Sequence, residues 1–314
     1  MKKVLVNTPI TPEQQEMLEN AARGRCELIF DRSYPLEHVD VLIGHAETQE
    51  LAAAKNLQWF HYVHAGTERF RSLRLPEGAL FTNGSGAFGV MLAEHMLAGI
   101  LAHVRQLPHY SKLQREHRWE RQWKESTLEG KVALILGTGD IGSEIAKRLE
   151  AFDMIVLGIR RTQEDLPYFD EIHPMQHLDQ LLPLADVVVC ALPGGDATIG
   201  LLNKFRLRKM KPNAILANCG RGSLIVTEDL VEVLREGHLG GCVLDVMDPE
   251  PLPADHPLWD MENVILTPHI GGLGFGHVAE TSDKIYRLAA KNLARFLSGE
   301  PLLNIADPIV GGRK

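Results

Sequence analysis

The chain has 314 residues, of which 45% are hydrophobic and 24% charged, the balance of a globular protein with a full core. Its 41 acidic and 33 basic side chains leave a formal net charge of -8, so no global field draws it to nucleic acid or to an anionic membrane. An anionic ligand must then be held by local cations or helix N-termini, and the length suits two domains.

The opening apolar run, Val4-Leu5-Val6, is too short for a signal peptide, and residues 4–7 read as a strand. Thr11-Pro12-Glu13 starts a helix, with Thr11 as N-cap and Pro12 in the first position. Residues 27–30, 41–43 and 59–63 read as further strands, with a helix at 51–55, which makes a small α/β unit with a parallel sheet. Residues 87–104 are the longest apolar stretch, but Glu94, His95 and His103 interrupt it. It reads as a buried or interfacial helix continuing to residue 106, not as a membrane span, and a cytoplasmic protein is expected. Residues 109–129 read as a connector or interaction arm whose Trp119 and Trp123 pack in a core or an interface. A second α/β run places strands at 132–136, 155–159, 187–191, 214–218, 241–245 and 264–267, the pattern of a doubly wound sheet of six parallel strands. A last helix at about 278–297 leads to Pro301-Leu302-Leu303-Asn304, which is expected to pack back on the first unit. Cys26, Cys190, Cys219 and Cys242 show no CxxC spacing, so they read as buried small hydrophobes, without disulfide or metal.

The strand at 132–136 runs into Gly137-Thr138-Gly139-Asp140-Ile141-Gly142, a G-x-G-x-x-G turn followed by a helical pattern with Ile141, Ile145 and Leu149 on one face. Gly137 allows the tight turn, Gly139 the approach of a pyrophosphate, and Gly142 close packing of helix on sheet. The next strand ends in Arg160-Arg161-Thr162, where a site for NAD wants a carboxylate to bond the ribose 2′-hydroxyl. Two guanidinium groups suit the 2′-phosphate of NADP instead, with NAD as the second possibility.

Three segments follow later strands of this sheet, at the ends where ligands bind: 218–222, 245–251 and 267–272. Reduction of a 2-oxo acid needs a cation for the carboxylate, which Arg221 supplies, and a proton donor near neutral pH, which His269 supplies. Glu250 is the carboxylate available to orient that histidine.

These segments are similar to the hallmarks of the D-isomer-specific 2-hydroxyacid dehydrogenase family: the glycine turn, Asn218-Cys219-Gly220-Arg221-Gly222, Asp245 to Pro251 with its Glu-Pro pair, and Thr267-Pro268-His269-Ile270-Gly271-Gly272. Ala65-Gly66 resembles the family's substrate loop, Ala93-Glu94-His95 the start of its interdomain helix, and Ala191-Leu192-Pro193 with Thr198 a further cofactor contact. The resemblance implies that Arg221, Glu250 and His269 are catalytic. It also implies that Asp245 meets the nicotinamide carboxamide, and that Gly66, flanked by His64 and Ala65, helps hold the substrate carboxylate. Cys219, Gly220, Gly271 and Gly272 would border the cofactor. The implied fold is two flavodoxin/Rossmann-like α/β domains with parallel sheets: a substrate domain of residues 1–98 and 287–314, with a dinucleotide-binding domain of residues 99–286 inserted in it. A homodimer built on the cofactor domains is implied too.

The loop departs from the common pattern at His64 and at Thr67-Glu68-Arg69-Phe70. Arg160, where NAD-using members carry Asp, resembles the NADPH-dependent glyoxylate/hydroxypyruvate reductase branch. Two alternatives stand beside an NADPH-linked reductase of a small 2-oxo acid. One is an NAD-linked dehydrogenase of another hydroxy acid, such as a phosphorylated one read by Arg69, Arg71 and Arg74. The other is a corepressor-like module whose protein contacts are gated by nicotinamide binding.

Overall fold

A computed structural model describes residues 1–70, 72–122, 124–272 and 278–306. They group into two units: residues up to Phe88 together with the described residues from 278 on, and Gly89–Gly272.

In the first unit β1 (Lys2–Val6), α1 (Pro12–Ala22), β2 (Cys26–Ile29), β3 (Val41–Gly44), α2 (Thr48–Ala53), β4 (Trp59–Tyr62) and β5 (Leu80–Asn83) follow one another. The five strands pair in parallel in the order β2-β1-β3-β4-β5. Helix α1 starts where Thr11 predicts. The Thr11 hydroxyl accepts from Gln14 N at 3.3 Å, and the Gln14 amide oxygen accepts from Thr11 N at 3.1 Å. Strand β5 is an addition to the sequence reading.

The second unit holds α3 (Gly89–Val104), α4 (Leu107–Arg115), β6 (Val132–Leu136), α5 (Asp140–Glu150), β7 (Ile155–Arg160), β8 (Glu171–Pro174), α6 (Leu178–Leu181), β9 (Val187–Cys190), α7 (Lys204–Lys209), β10 (Ile215–Asn218), α8 (Thr227–Arg235), β11 (Gly241–Leu244) and β12 (Val264–Leu266). Seven parallel strands, not the six expected, take the order β12-β11-β10-β9-β6-β7-β8. The extra strand, β8, pairs with β7 at the edge. Helices cover both faces of such a sheet, which is why runs such as Val187-Val188-Val189-Cys190 are buried at every residue. The order reverses between β6 and β9, the place where ligands sit in doubly wound sheets. The connector expected at 109–129 begins inside helix α4, and Trp119 beyond it is 96% exposed. Trp123 lies outside the described residues.

Helix α9 (Ala279–Leu297) returns to the first unit. Tyr286 donates to Pro9 O at 2.8 Å and lies 2.9 Å from the Thr8 hydroxyl. Tyr286, Ala289 and Leu293 share a core with Val4, Val6 and Trp59. Leu302 joins that core, and Ile305 bridges antiparallel to Thr82. The domain boundaries expected from sequence, after residues 98 and 286, fall within α3 and α9. All four cysteines are buried and unbridged. Among the described residues no helix is long and apolar enough to cross a membrane.

Candidate active site

The chain leaves β6 at Gly137, whose φ of +98° is a conformation that glycine adopts without strain. Gly137 N donates to Ile159 O at 3.0 Å and Ala191 N donates to Leu136 O at 2.8 Å, so the turn sits between the ends of β7 and β9. A Cβ on Gly137 would stand 2.8 Å from Ala191 O, and one on Gly142 would overlap the Gly137 carbonyl oxygen. Gly139 differs. It is exposed, and a Cβ there would meet nothing within 4 Å. Internal packing therefore requires Gly137 and Gly142, while the space above Gly139 is open at the N-terminus of α5. Helix geometry leaves first-turn N–H groups without intrahelical acceptors, and a pyrophosphate fits that cradle.

The other residues of the turn look inward. Thr138 is buried, and its carbonyl accepts from the Ser143 hydroxyl at 3.3 Å. Ile141 is half-buried, and Asp140 Oδ2 accepts from Gly89 N at 2.9 Å, which joins α5 to the start of α3. At the end of β7, Arg160 is half-buried and ion-paired with Glu164, a partner the sequence reading did not name; Arg161 is exposed. Beyond β9, Ala191 and Leu192 are half-buried and Pro193 is exposed. The Thr198 hydroxyl lies 3.2 Å from Pro193 O and 2.9 Å from Gly195 O, which closes this loop.

Strand β10 ends at Asn218, which is fully buried. Its side chain accepts from Gly220 N at 3.1 Å and donates to Arg221 O at 2.9 Å, which clamps the turn that presents Arg221. Cys219 faces the core, with Sγ 3.5 Å from Cys190 O; burial, then the Asp245 charge, pushes its thiol up to about 12. Only its backbone is on offer to a ligand. Arg221 is half-buried and donates to Gly220 O at 2.6 Å. A Cβ on Gly222 would overlap the Met247 backbone, so the Arg221 turn and the loop after β11 lie in contact.

In that loop Glu250 Oε1 accepts from Met247 N at 2.9 Å, and Oε2 lies 2.9 Å from His269 Nδ1. Nδ1–H donates to this carboxylate, so Nε2 is the ring nitrogen outside the pair, on a side chain 53% exposed. The His269 backbone is left-handed, with φ +55°, a conformation that costs a non-glycine residue about 1–3 kcal/mol. His269 N donates to Asp245 O at 2.8 Å, which holds the strained residue in place. The Asp245 carboxylate, 1% exposed, accepts from the Thr267 hydroxyl at 2.7 Å, Ile270 N at 2.9 Å and Gly271 N at 2.9 Å. Gly271 is buried and Gly272 half-buried. Asn218 and Thr267 stand inside motifs that the sequence reading quoted, but their clamping roles appear only in three dimensions.

In the first unit, the loop after β4 carries His64, Ala65 and Gly66, all half-buried. Gly84 N donates to His64 O at 2.9 Å and Asn83 Nδ2 to Ala65 O at 2.7 Å, which pins the loop to the end of β5. The His64 ring stacks on Phe88 at 6.3 Å and lies 4.8 Å from that of His45. Burial, helped by His45 and Arg69, pushes the His64 pKa down to about 4, so near neutral pH it presents an uncharged ring. Arg69 pairs with Glu47 at 2.5 Å, and Arg74 donates to Leu73 O at 3.1 Å. Arg71 lies outside the described residues.

Residues 97–271 match the model of the D-isomer specific 2-hydroxyacid dehydrogenase, NAD binding domain, and the chain belongs to that family. It is 34% identical over 300 residues to the glyoxylate reductase of Thermofilum pendens, which covers 92% of this chain and 83% of that one. The solved structure of a D-isomer specific 2-hydroxyacid dehydrogenase family protein from Aeromonas salmonicida is similar at a TM-score of 0.84 and 33% identity, over 98% of this chain and 99% of that one. The NADPH-dependent glyoxylate/hydroxypyruvate reductase of Sinorhizobium meliloti, solved with NADP and sulfate, is similar at a TM-score of 0.80 and 26% identity, over 99% of both chains. The chain is thus an NAD(P)-dependent oxidoreductase of the 2-hydroxyacid dehydrogenase type.

Proposed function

We propose that this protein reduces a small 2-oxo acid to the D-2-hydroxy acid and prefers NADPH. The observation that carries the reading is the His269–Glu250 pair at 2.9 Å, on a loop in contact with the Arg221 turn. Arg221 binds the substrate carboxylate, assisted by the Gly66 N–H of the His64-Ala65-Gly66 loop. His269 Nε2 donates a proton to the carbonyl oxygen, while Glu250 on Nδ1 holds the ring in place. Gly139 and the first turn of α5 would hold a nicotinamide dinucleotide, whose chemistry would be hydride transfer to the carbonyl carbon. The exposure of His269 lets solvent return its proton between turnovers.

Ala191, Leu192, Pro193, Thr198, the backbone at Cys219 and Gly220, and Asp245 with Gly271 and Gly272 border the dinucleotide in this reading. Arg160 and Arg161 hold the 2′-phosphate, in keeping with the NADP-bound relative. The phosphorylated-acid alternative is weaker, because Arg69 is paired with Glu47. The complete set of Arg221, Glu250 and His269 favours turnover over a purely binding role. A cytoplasmic homodimer is part of the proposal, and the exposed Trp119 beyond α4 is consistent with a buried interface there.

Parallel oxidation of NADPH and NADH with glyoxylate, hydroxypyruvate, pyruvate and phenylpyruvate tests it. Faster turnover with NADPH on any of these acids is expected. Turnover with NADH alone removes the phosphate assignment, and none with either cofactor removes the reductase reading.

A further inference from the structure

Helix α3 is apolar along its buried face, and His95 is a polar side chain next to it, 26% exposed. Its Nε2 lies 2.9 Å from the Thr267 hydroxyl oxygen. That hydroxyl has one proton, and it donates it to Asp245 Oδ1 at 2.7 Å. Thr267 can therefore only accept from His95, so Nε2 carries a hydrogen and is the donor. Nε2 also stands 3.7 Å from Asp245 Oδ1, so the His95 ring borders that carboxylate as well as Thr267. The ring packs on the same turn from outside, because a Cβ on Gly271 would meet Asp245 Oδ2 at 2.8 Å, Leu92 at 3.0 Å and His95 Cδ2 at 3.1 Å.

We propose that His95 is a positioning residue for the acid–base histidine: through the Thr267 hydroxyl it locks the Asp245 carboxylate onto the 267–271 turn and so holds His269 in its left-handed conformation against Glu250. The proposal rests on the catalytic reading of His269. The chain of contacts is continuous. His95 fixes Thr267, Thr267 fixes Asp245 Oδ1, and Asp245 takes the N–H groups of Ile270 and Gly271 while its carbonyl takes that of His269. Within the turn His269 N also lies 3.0 Å from Thr267 O, and the Asp245 acceptors add to that contact in holding His269 at φ +55°. A proton donor displaced by a fraction of an ångström loses rate without losing the cofactor, since the open cradle at Gly139 is built by β6 and α5.

The test compares His95→Leu, His95→Gln, Thr267→Val and the His95→Leu/Thr267→Val double variant with the parent and with His269→Ala. Each is assayed for kcat, for KM of the acid and for dinucleotide affinity. His95→Leu should lower kcat about 10-fold or more and change dinucleotide affinity much less, since Asp245 and Gly271 border the dinucleotide but the cradle at Gly139 is untouched. His95→Gln, whose amide N–H can reach Thr267, should recover most of that loss. The double variant should be no worse than Thr267→Val alone, because both remove one chain of contacts. Parental kcat in His95→Leu, additive losses in the double variant, or no recovery by His95→Gln overturns the proposal. Should His95→Leu fail to fold, the His95→Gln and Thr267→Val kinetics still decide it: a fall in Thr267→Val with kcat in His95→Gln much nearer the parent supports it, and any other pair of results overturns it. If His269→Ala itself keeps its turnover, the catalytic reading has failed, an outcome distinct from the failure of His95 alone.

Discussion

Two kinds of side chain meet at the site: those that would touch substrate and those that hold them. In the proposed reading His269 belongs to the first kind, so His269→Ala should lower kcat by about 10²–10⁴-fold while dinucleotide titration stays unchanged. Near-parental turnover in that variant would remove the acid–base assignment. In the proposed reading, Arg160 and Arg161 govern cofactor choice. Replacing both with Ala should raise the KM for NADPH by about 10-fold or more and that for NADH by much less, since a charge-assisted bidentate contact is lost only with the phosphate. Equal changes for the two cofactors would falsify the phosphate contact. Glu164 is already paired with Arg160, and in that reading it would have to yield or share the guanidinium with the phosphate.

The turn between β6 and α5 separates packing from binding within six residues. Gly142→Ala should lower the unfolding midpoint, because the new methyl group overlaps the Gly137 carbonyl. Gly139→Ala should leave stability nearly unchanged and weaken dinucleotide binding, because its methyl group enters only the open cradle. Thermal melts and dinucleotide titrations of the two variants check this, and a reversed pattern would show that the cradle is misassigned. The elements legible in the sequence were those with long apolar runs. The six strands of the second sheet from β6 to β12 other than β8 show such runs, whereas β8 has a single buried residue, Ile172, in Glu171-Ile172-His173-Pro174. Strand β5 is as short as β3 and β4, but its apolar run stops at Phe81 before the polar Thr82 and Asn83, so it lacks the pattern they show. The motif residues Arg221, Glu250 and His269 could be read because each follows a strand of one sheet. The His95–Thr267–Asp245 chain could not, since its members are separated by 172 and 22 residues and only the packing of α3 on β10 and β11 brings them together.

At the scale of the whole molecule, the first unit stores an acid sensitivity. His61 is fully buried, with Nδ1 2.7 Å from the Thr82 hydroxyl and Nε2 without a hydrogen-bond partner among the described residues. Burial pushes its pKa down to about 3, and that of His64 to about 4. Both fall below the ordinary histidine value of about 6.5, so the folded state favours the neutral rings. Their contribution to stability is complete above pH ~6.5 and is lost as pH falls from there toward 4 and then 3. The fully buried His61 accounts for more of this than the more solvated His64. Urea unfolding should give a lower midpoint at pH 5 than at pH 7.5, and His61→Gln should narrow the gap. Equal midpoints at the two pH values would contradict it.

Both ends of the chain build the first unit, and this has a consequence for synthesis. The ribosome delivers β1 to β5 early, but the helix that seals Val4, Val6 and Trp59 emerges only after roughly 200 further residues, a wait on the order of 10–40 s at ordinary elongation rates. The second unit is continuous in sequence and can close its own core during that interval. A nascent chain halted before Ala279 should therefore display a protease-resistant fragment spanning 89–272, while its N-terminal strands remain accessible to chaperones.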